Sequence, residues 1–243
     1  MKTILAIETS TAACSVALLH QGQMFHIFEM LPQRHAHRVL EMVDEVLQQA
    51  KVTDAEIDYL AYGEGPGAFT GIRIATGVIQ GLALGWNKPV IAVSSLESMA
   101  FSGVSKLLAD DDKSTDNFVQ PLNWVALMDA RMNEIYWQTG TYDLNSHAWS
   151  AESAELLSEE LIQARLAEKT ARVFGDIDAA YPSLVAQITD WQARLPSAKA
   201  VAELAEMKQT SAKFISEQVP LPVYLRNNVA ETTAQRMAKK ANQ

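Results

Sequence analysis

IDYLAYGEGPGAFTGIRIATGVIQGLALGWNKPVIAVSSLESMA, residues 57–100, is the stretch that decides the fold. Ile57–Tyr62 is a short apolar run, and Gly63, Gly65, Pro66 and Gly67 break it sharply. A helix is predicted from Phe69–Thr70, with Thr70 as its N-cap. Phe69, Ile72, Thr76, Ile79, Ala83 and Trp86 recur at steps of three and four and so form one stripe. Pro89 cannot extend that helix, and Val90–Val93 reads as a buried strand. Strand, helix and strand make a βαβ unit, which implies a parallel pair joined by a right-handed crossover.

A second face of the same helix carries Gly77, Gly81 and Gly85, four residues apart. Each glycine costs a helix about 1 kcal/mol against alanine, so the row costs roughly 3 kcal/mol. Something must offset that cost. A face without side chains admits another backbone, either the protein's own sheet or a helix of a partner chain, and the pattern leaves both readings open.

Outward from this unit, the chain opens with Lys2–Glu8 as a strand, a turn at Thr9–Ala12, and further strands at Cys14–Leu19 and Met24–Leu31. The turn Glu8-Thr9-Ser10-Thr11 resembles loosely a first phosphate loop, with an ordinary turn as the plainer reading. Arg34–Ala50 is an amphipathic helix with Val39, Met42, Val43, Val46 and Ala50 on one face. His35 and His37 stand two apart, which is not the spacing of a helical metal pair. Beyond the unit, Phe101–Asn117 contains Ser105-Lys106 and the run ADDDKSTDN (109–117), which with its three consecutive aspartates reads as an acidic polar loop rather than a metal site. Pro121–Asp129 and Glu134–Tyr142 read as an antiparallel pair. Asp129 and Arg131 at their turn are a remnant phosphate loop or, more simply, an ion pair. Leu156–Ala167, Val185–Ala193, Ala198–Lys208 and Ser211–Gln218 are helix candidates, Val223–Arg226 is a final strand, and residues 231–243 a tail.

The 243 residues are 48% apolar with net charge −9, and the sequence pI is near 5.0. That balance disfavours tight independent binding to RNA, because an acidic body repels phosphates. The only local basic cluster is Arg236, Lys239 and Lys240. The opening ILAIETSTAACSVALL alternates as a strand does and is not a signal peptide; no apolar run reaches the roughly 18 residues of a membrane helix. A single cysteine, Cys14, excludes an internal disulfide, fits a reducing cytoplasm, and in its apolar strand reads as a small buried hydrophobe.

Three segments carry a family likeness: GPGAFTGIRIATGVIQGLALG (65–85), MDARMNEIYW (128–137) and PVYLRNN (222–228). In this order they resemble the bacterial TsaB (YeaZ) proteins over almost the whole chain. The resemblance implies an α/β, two-lobed, actin-like ATPase (ribonuclease-H-like) fold, with mixed sheets flanked by helices. The expected division is a first lobe over 1–103, a second over 104–218 whose last helices can pack back on the first, and a final strand and tail over 219–243. It also implies a cytoplasmic, non-catalytic role beside TsaD, TsaE and TsaC, which place threonylcarbamoyl on the adenosine next to the anticodon of tRNAs reading codons that begin with A.

In the catalytic paralogue TsaD, the strand after the glycine-loop helix leads to a His-x-x-x-His metal pair. Here Ser95 and Met99 stand at those positions, and serine and thioether are poor ligands beside imidazole. No metal and no intrinsic cofactor is therefore expected, with ATP or ADP at a partner interface left open. The resemblance makes the first two helices the pairing elements. It places His35, Val39, Met42, Val43 and Val46 of the first in the interface, with Phe69, Ile72, Arg73, Gly77, Gly81 and Gly85 of the second. The expected partners are TsaD and TsaE, a second copy when the chain is alone, and tRNA only through the complex. Two other readings stay in play. The turn at Glu8–Thr11 and the GEGPG loop suit an actin-like or sugar-kinase-like ATPase, although no GxxxxGK[ST] is present. A peptidase acting on TsaD is the remote one, without His-Glu-x-x-His or a recognisable serine triad. Arg226, Asn227 and Asn228 either touch tRNA or only cap the last strand.

Overall fold

A computed structural model describes residues 1–110, 121–168 and 170–226. The aspartates at 111–112, the residues Asn227 and Asn228, and the basic cluster at 236–240 lie outside the described residues. The first sheet is ordered β3-β2-β1-β4-β5. β1 (Ile4–Glu8), β2 (Ala13–His20) and β3 (Gln23–Met30) run antiparallel, whereas β4 (Tyr59–Gly65) and β5 (Val90–Ser94) extend the sheet in parallel from β1. The second sheet has β11 (Trp191–Ala193), β10 (Arg172–Gly175), β6 (Leu122–Arg131), β7 (Glu134–Tyr142) and β8 (Trp149–Ala151) in that order, with β9 (Glu155–Ser158) also on β7. Here β6, β7 and β8 are antiparallel neighbours, and β10 and β11 extend β6 in parallel. The two sheets therefore repeat one plan, a three-stranded antiparallel half followed by two parallel strands.

Period-two alternation explains how β1 is covered on both sides. Leu5 and Ile7 face α1 (His35–Ala50) and α2 (Phe69–Trp86), where Val39, Met42, Val46, Ala75 and Ile79 meet them. Ile4 and Ala6 face α6 (Ala198–Met207), which returns from the far end of the chain with Ala198, Val201, Ala202 and Ala205. The small residues of α6 let it lie close to the strands. Between the sheets, α3 (Ser95–Asp110) packs on Trp124 and Phe174, and a Cβ at Gly103 would overlap the Phe174 ring. The outer face of the second sheet is covered by α4 (Glu159–Ala167) and the short α5 (Pro182–Val185).

Several expectations are corrected. α2 is capped by Ala68 with no side-chain bond, so Thr70 lies inside the helix rather than at its cap. Helix α3 runs from Ser95 to Asp110, so the acidic run at 109–117 begins inside a helix, and the rest of that run lies outside the described residues. Leu156–Ala167 splits, because Glu155–Ser158 pairs with the edge of β7 before α4 begins; a free strand edge outweighs a weak helical pattern. Val185–Ala193 is the end of a four-residue helix and then strand β11. Ser211–Gln218 is not a helix, since Lys213 forms a backbone bridge with Val90. Val223–Arg226 forms no strand.

The lobes are joined by buried polar links. Ser94 Oγ donates to Gln138 Oε1 at 2.6 Å. Glu97, 3% exposed, accepts from Trp149 Nε1 at 3.0 Å and pairs with Lys208 Nζ at 2.6 Å. A buried carboxylate needs such partners, so these bonds hold α3, β8 and α6 in one arrangement.

Candidate functional site

The β1–β2 turn sits directly on the start of α2. Thr9 Oγ1 donates to Gly71 O at 2.7 Å, and Ala68 N donates to Ser10 O at 2.7 Å. A Cβ at Gly67 would stand 2.6 Å from Ser10, and one at Gly71 would overlap the Thr9 carbonyl oxygen. Only glycine permits this approach. Glu8 is buried at the head of the turn, accepting from Ser10 N at 2.6 Å and Ser95 Oγ at 2.7 Å. Burial pushes its carboxyl up, against the pull of those hydrogen bonds. A phosphate placed here would find the Ala68 amide taken and a carboxyl in its way. The GEGPG loop is covered too, because Val223 N donates to Glu64 O at 2.7 Å and Val223 O lies against Gly65.

Ser95 and Met99 are both buried; the serine is committed to Glu8, and the methionine belongs to the core beneath α3. No group of three His, Cys, Asp or Glu side chains able to hold a metal occurs among the described residues. Three of the five histidines have local partners: His20 with Thr3, His35 with the Ala13 carbonyl, and His147 with Tyr142. Cys14 is buried beside Met42, and burial raises its thiol to about 11, which fits a small core residue rather than a nucleophile. Asp129 and Arg131 form an ion pair at 3.0 Å, with the guanidinium exposed and the carboxylate largely covered.

The pairing residues divide by face. His35, Val39, Met42, Val43, Val46 and Ile72 are buried in the chain's own core, so the interface expectation is corrected for all six. Their apolar stripe faces β1 and β2 for the same hydrophobic reason that made it conspicuous in the sequence. Phe69, Arg73, Gly77, Gly81 and Gly85 lie on the exposed side of α2. A Cβ at any of the three glycines would meet nothing within 4 Å. Packing of the row against the chain's own sheet is thereby excluded. Sequence reasoning passed over Leu40 and Leu84, which are 52% and 72% exposed on α1 and α2. Their signal was available: each is an apolar residue off the core stripe of its helix. Glu29, Glu41 and Glu45 gather around Arg38 where α1 meets β3.

A separate cleft of about 640 Å³ opens where β10 and β11 end and α6 begins, lined by His26, Phe28, Ser102, Asp176, Arg194 and Lys199 among others. Burial raises the Asp176 carboxyl to about 6, the Asp129 and Asp178 carboxylates add to the rise, and the Asp129 amide opposes it. The cleft mixes charges of both signs. No helix among the described residues is long and apolar enough to cross a membrane.

Residues 29–234 match the family model described as TsaD: tRNA N6-adenosine threonylcarbamoyltransferase. The Escherichia coli K12 protein named tRNA threonylcarbamoyladenosine biosynthesis protein TsaB is 37% identical over 93% of this chain and 96% of its own. The Haemophilus influenzae protein of the same name is 35% identical over 93% and 94%. Among solved structures, YeaZ from Pseudomonas aeruginosa superposes with a TM-score of 0.75 at 37% identity, covering 93% of this chain and all of its own. The chain belongs to the TsaB (YeaZ) family and has its two-lobed α/β fold.

Proposed function

We propose that this chain is a non-catalytic subunit in the formation of threonylcarbamoyladenosine in tRNA, acting by contact with TsaD while TsaE and TsaC complete the system. The observation that carries the reading is the row Gly77, Gly81, Gly85, exposed on a helix with open space above each residue. Helical backbones approach most closely over small residues, and the row packs against nothing among the described residues. Alone, the same face would close on a second copy, since a two-fold contact uses one patch twice. The acidic body leaves tRNA to the rest of the complex. No intrinsic cofactor is needed in this reading, and ATP or ADP, where present, would sit at the partner boundary.

Reconstituted threonylcarbamoyl transfer with and without the chain tests the proposal. Transfer should depend on the chain, and the chain alone should transfer nothing. Transfer that proceeds equally well without it would remove the role. An ATPase assay on the isolated protein separates the phosphotransferase reading, which the occupied Ala68 amide and the Glu8 carboxyl disfavour.

A further inference from the structure

Residues 219–226 form no strand, yet their backbone is held along its length. Gln80 Nε2 donates to Pro220 O at 2.7 Å, the Tyr62 hydroxyl to Leu221 O at 2.9 Å, and Val223 N to Glu64 O at 2.7 Å. At the far end Arg226 bonds Glu134 and the Arg131 carbonyl on the β6–β7 hairpin of the second lobe. The segment is thus a strap that runs beside α2 and is tied to both lobes. Its outward side chains are apolar: Leu221 is 64% exposed, Tyr224 44%, and Val219 is exposed as well.

Tyr224 is also positioned. Arg73 Nε donates to its hydroxyl at 2.6 Å, and the Arg73 guanidinium lies 3.3 Å from the centre of the Phe69 ring. The two rings stand 5.9 Å apart. A guanidinium stacked on one ring and bonded to the hydroxyl of the other fixes all three side chains.

The strap is continuous with the glycine row. Gln80, which holds Pro220, precedes Gly81, and Arg73, which holds Tyr224, stands one turn before Gly77. Glycines let a backbone come close but offer little apolar area, whereas binding energy concentrates in buried aromatic and arginine anchors. We propose that the strap is the second half of the docking surface, with Tyr224 as the anchor that a partner helix seated on the glycine row covers. This rests on the reading of that row as the partner face. The occupant is a helix of the partner subunit, because residues spaced four apart on α2 match the close approach of another helix.

The test is titration of the full chain against purified TsaD, followed by calorimetry, for Tyr224→Ala, Tyr224→Phe, Leu221→Ser and Gly81→Leu. Tyr224→Ala should weaken pairing about tenfold or more at an unchanged melting temperature, and Tyr224→Phe should stay within about threefold of the parent. Leu221→Ser changes the same surface without touching Arg73 and should also weaken pairing. Parent-like pairing by both Tyr224→Ala and Leu221→Ser, with Gly81→Leu abolishing it, overturns the strap's role and leaves the docking face standing. Parent-like pairing by all four removes both.

Discussion

The glycines in and just before α2 fall into two sets that obey opposite rules. At its start, Gly67 and Gly71 are glycines because the β1–β2 turn leaves no room for a Cβ. Farther along, Gly77, Gly81 and Gly85 have open space, and nothing among the described residues forbids a larger one. The first set is explained by the monomer and the second is not. A row of residues that costs helix stability and meets nothing among the described residues points to a contact beyond them.

The largest effect expected from this contrast is at Gly71. Gly71→Ala drives a methyl into the Thr9 carbonyl, and backbone cannot yield as a flexible side chain would. Chemical denaturation should record a loss upwards of about 4 kcal/mol. A loss below about 1 kcal/mol would mean that the turn is not seated on the helix as described. Next comes α1, where the same inward and outward division holds. Met42→Ala empties a fully buried site and should cost about 3 kcal/mol.

Gly81→Ala should go the other way. In open space, alanine restores helix propensity, and the monomer should gain about 1 kcal/mol. If thermal unfolding instead shows Gly81→Ala destabilised, the row has a packing role that the open space denies. The smallest effect is at Leu40. Leu40→Ala removes an exposed side chain and should leave monomer stability within about 0.5 kcal/mol. Equal losses for Leu40→Ala and Met42→Ala would erase the distinction between the two faces of α1.

The βαβ unit was readable because its helix stripe and its proline and glycine breaks are local signals. What the sequence could not settle was which face of α1 meets which neighbour. Val39, Met42 and Val46 are as apolar as an interface would be, but the nearest apolar surface is the chain's own sheet. The glycine row was visible, and only the space above it could decide between the two readings. Helix α3 was hidden by Ser102, Gly103 and Ser105, which are weak helix formers kept helical by packing against Trp124 and Phe174. The strap left no pattern at all, since it is held by groups as distant in sequence as Tyr62 and Leu221. The failed helix at Ser211–Gln218 has the same cause, a backbone bridge from Lys213 to Val90.

The most direct measurement compares Gly81→Leu with the parent chain in association with TsaD and in reconstituted threonylcarbamoyl transfer, with circular dichroism recorded on the same samples. The account predicts a folded protein that no longer pairs and leaves transfer at the level reached without the chain. A folded Gly81→Leu protein that pairs and supports transfer like the parent would contradict it.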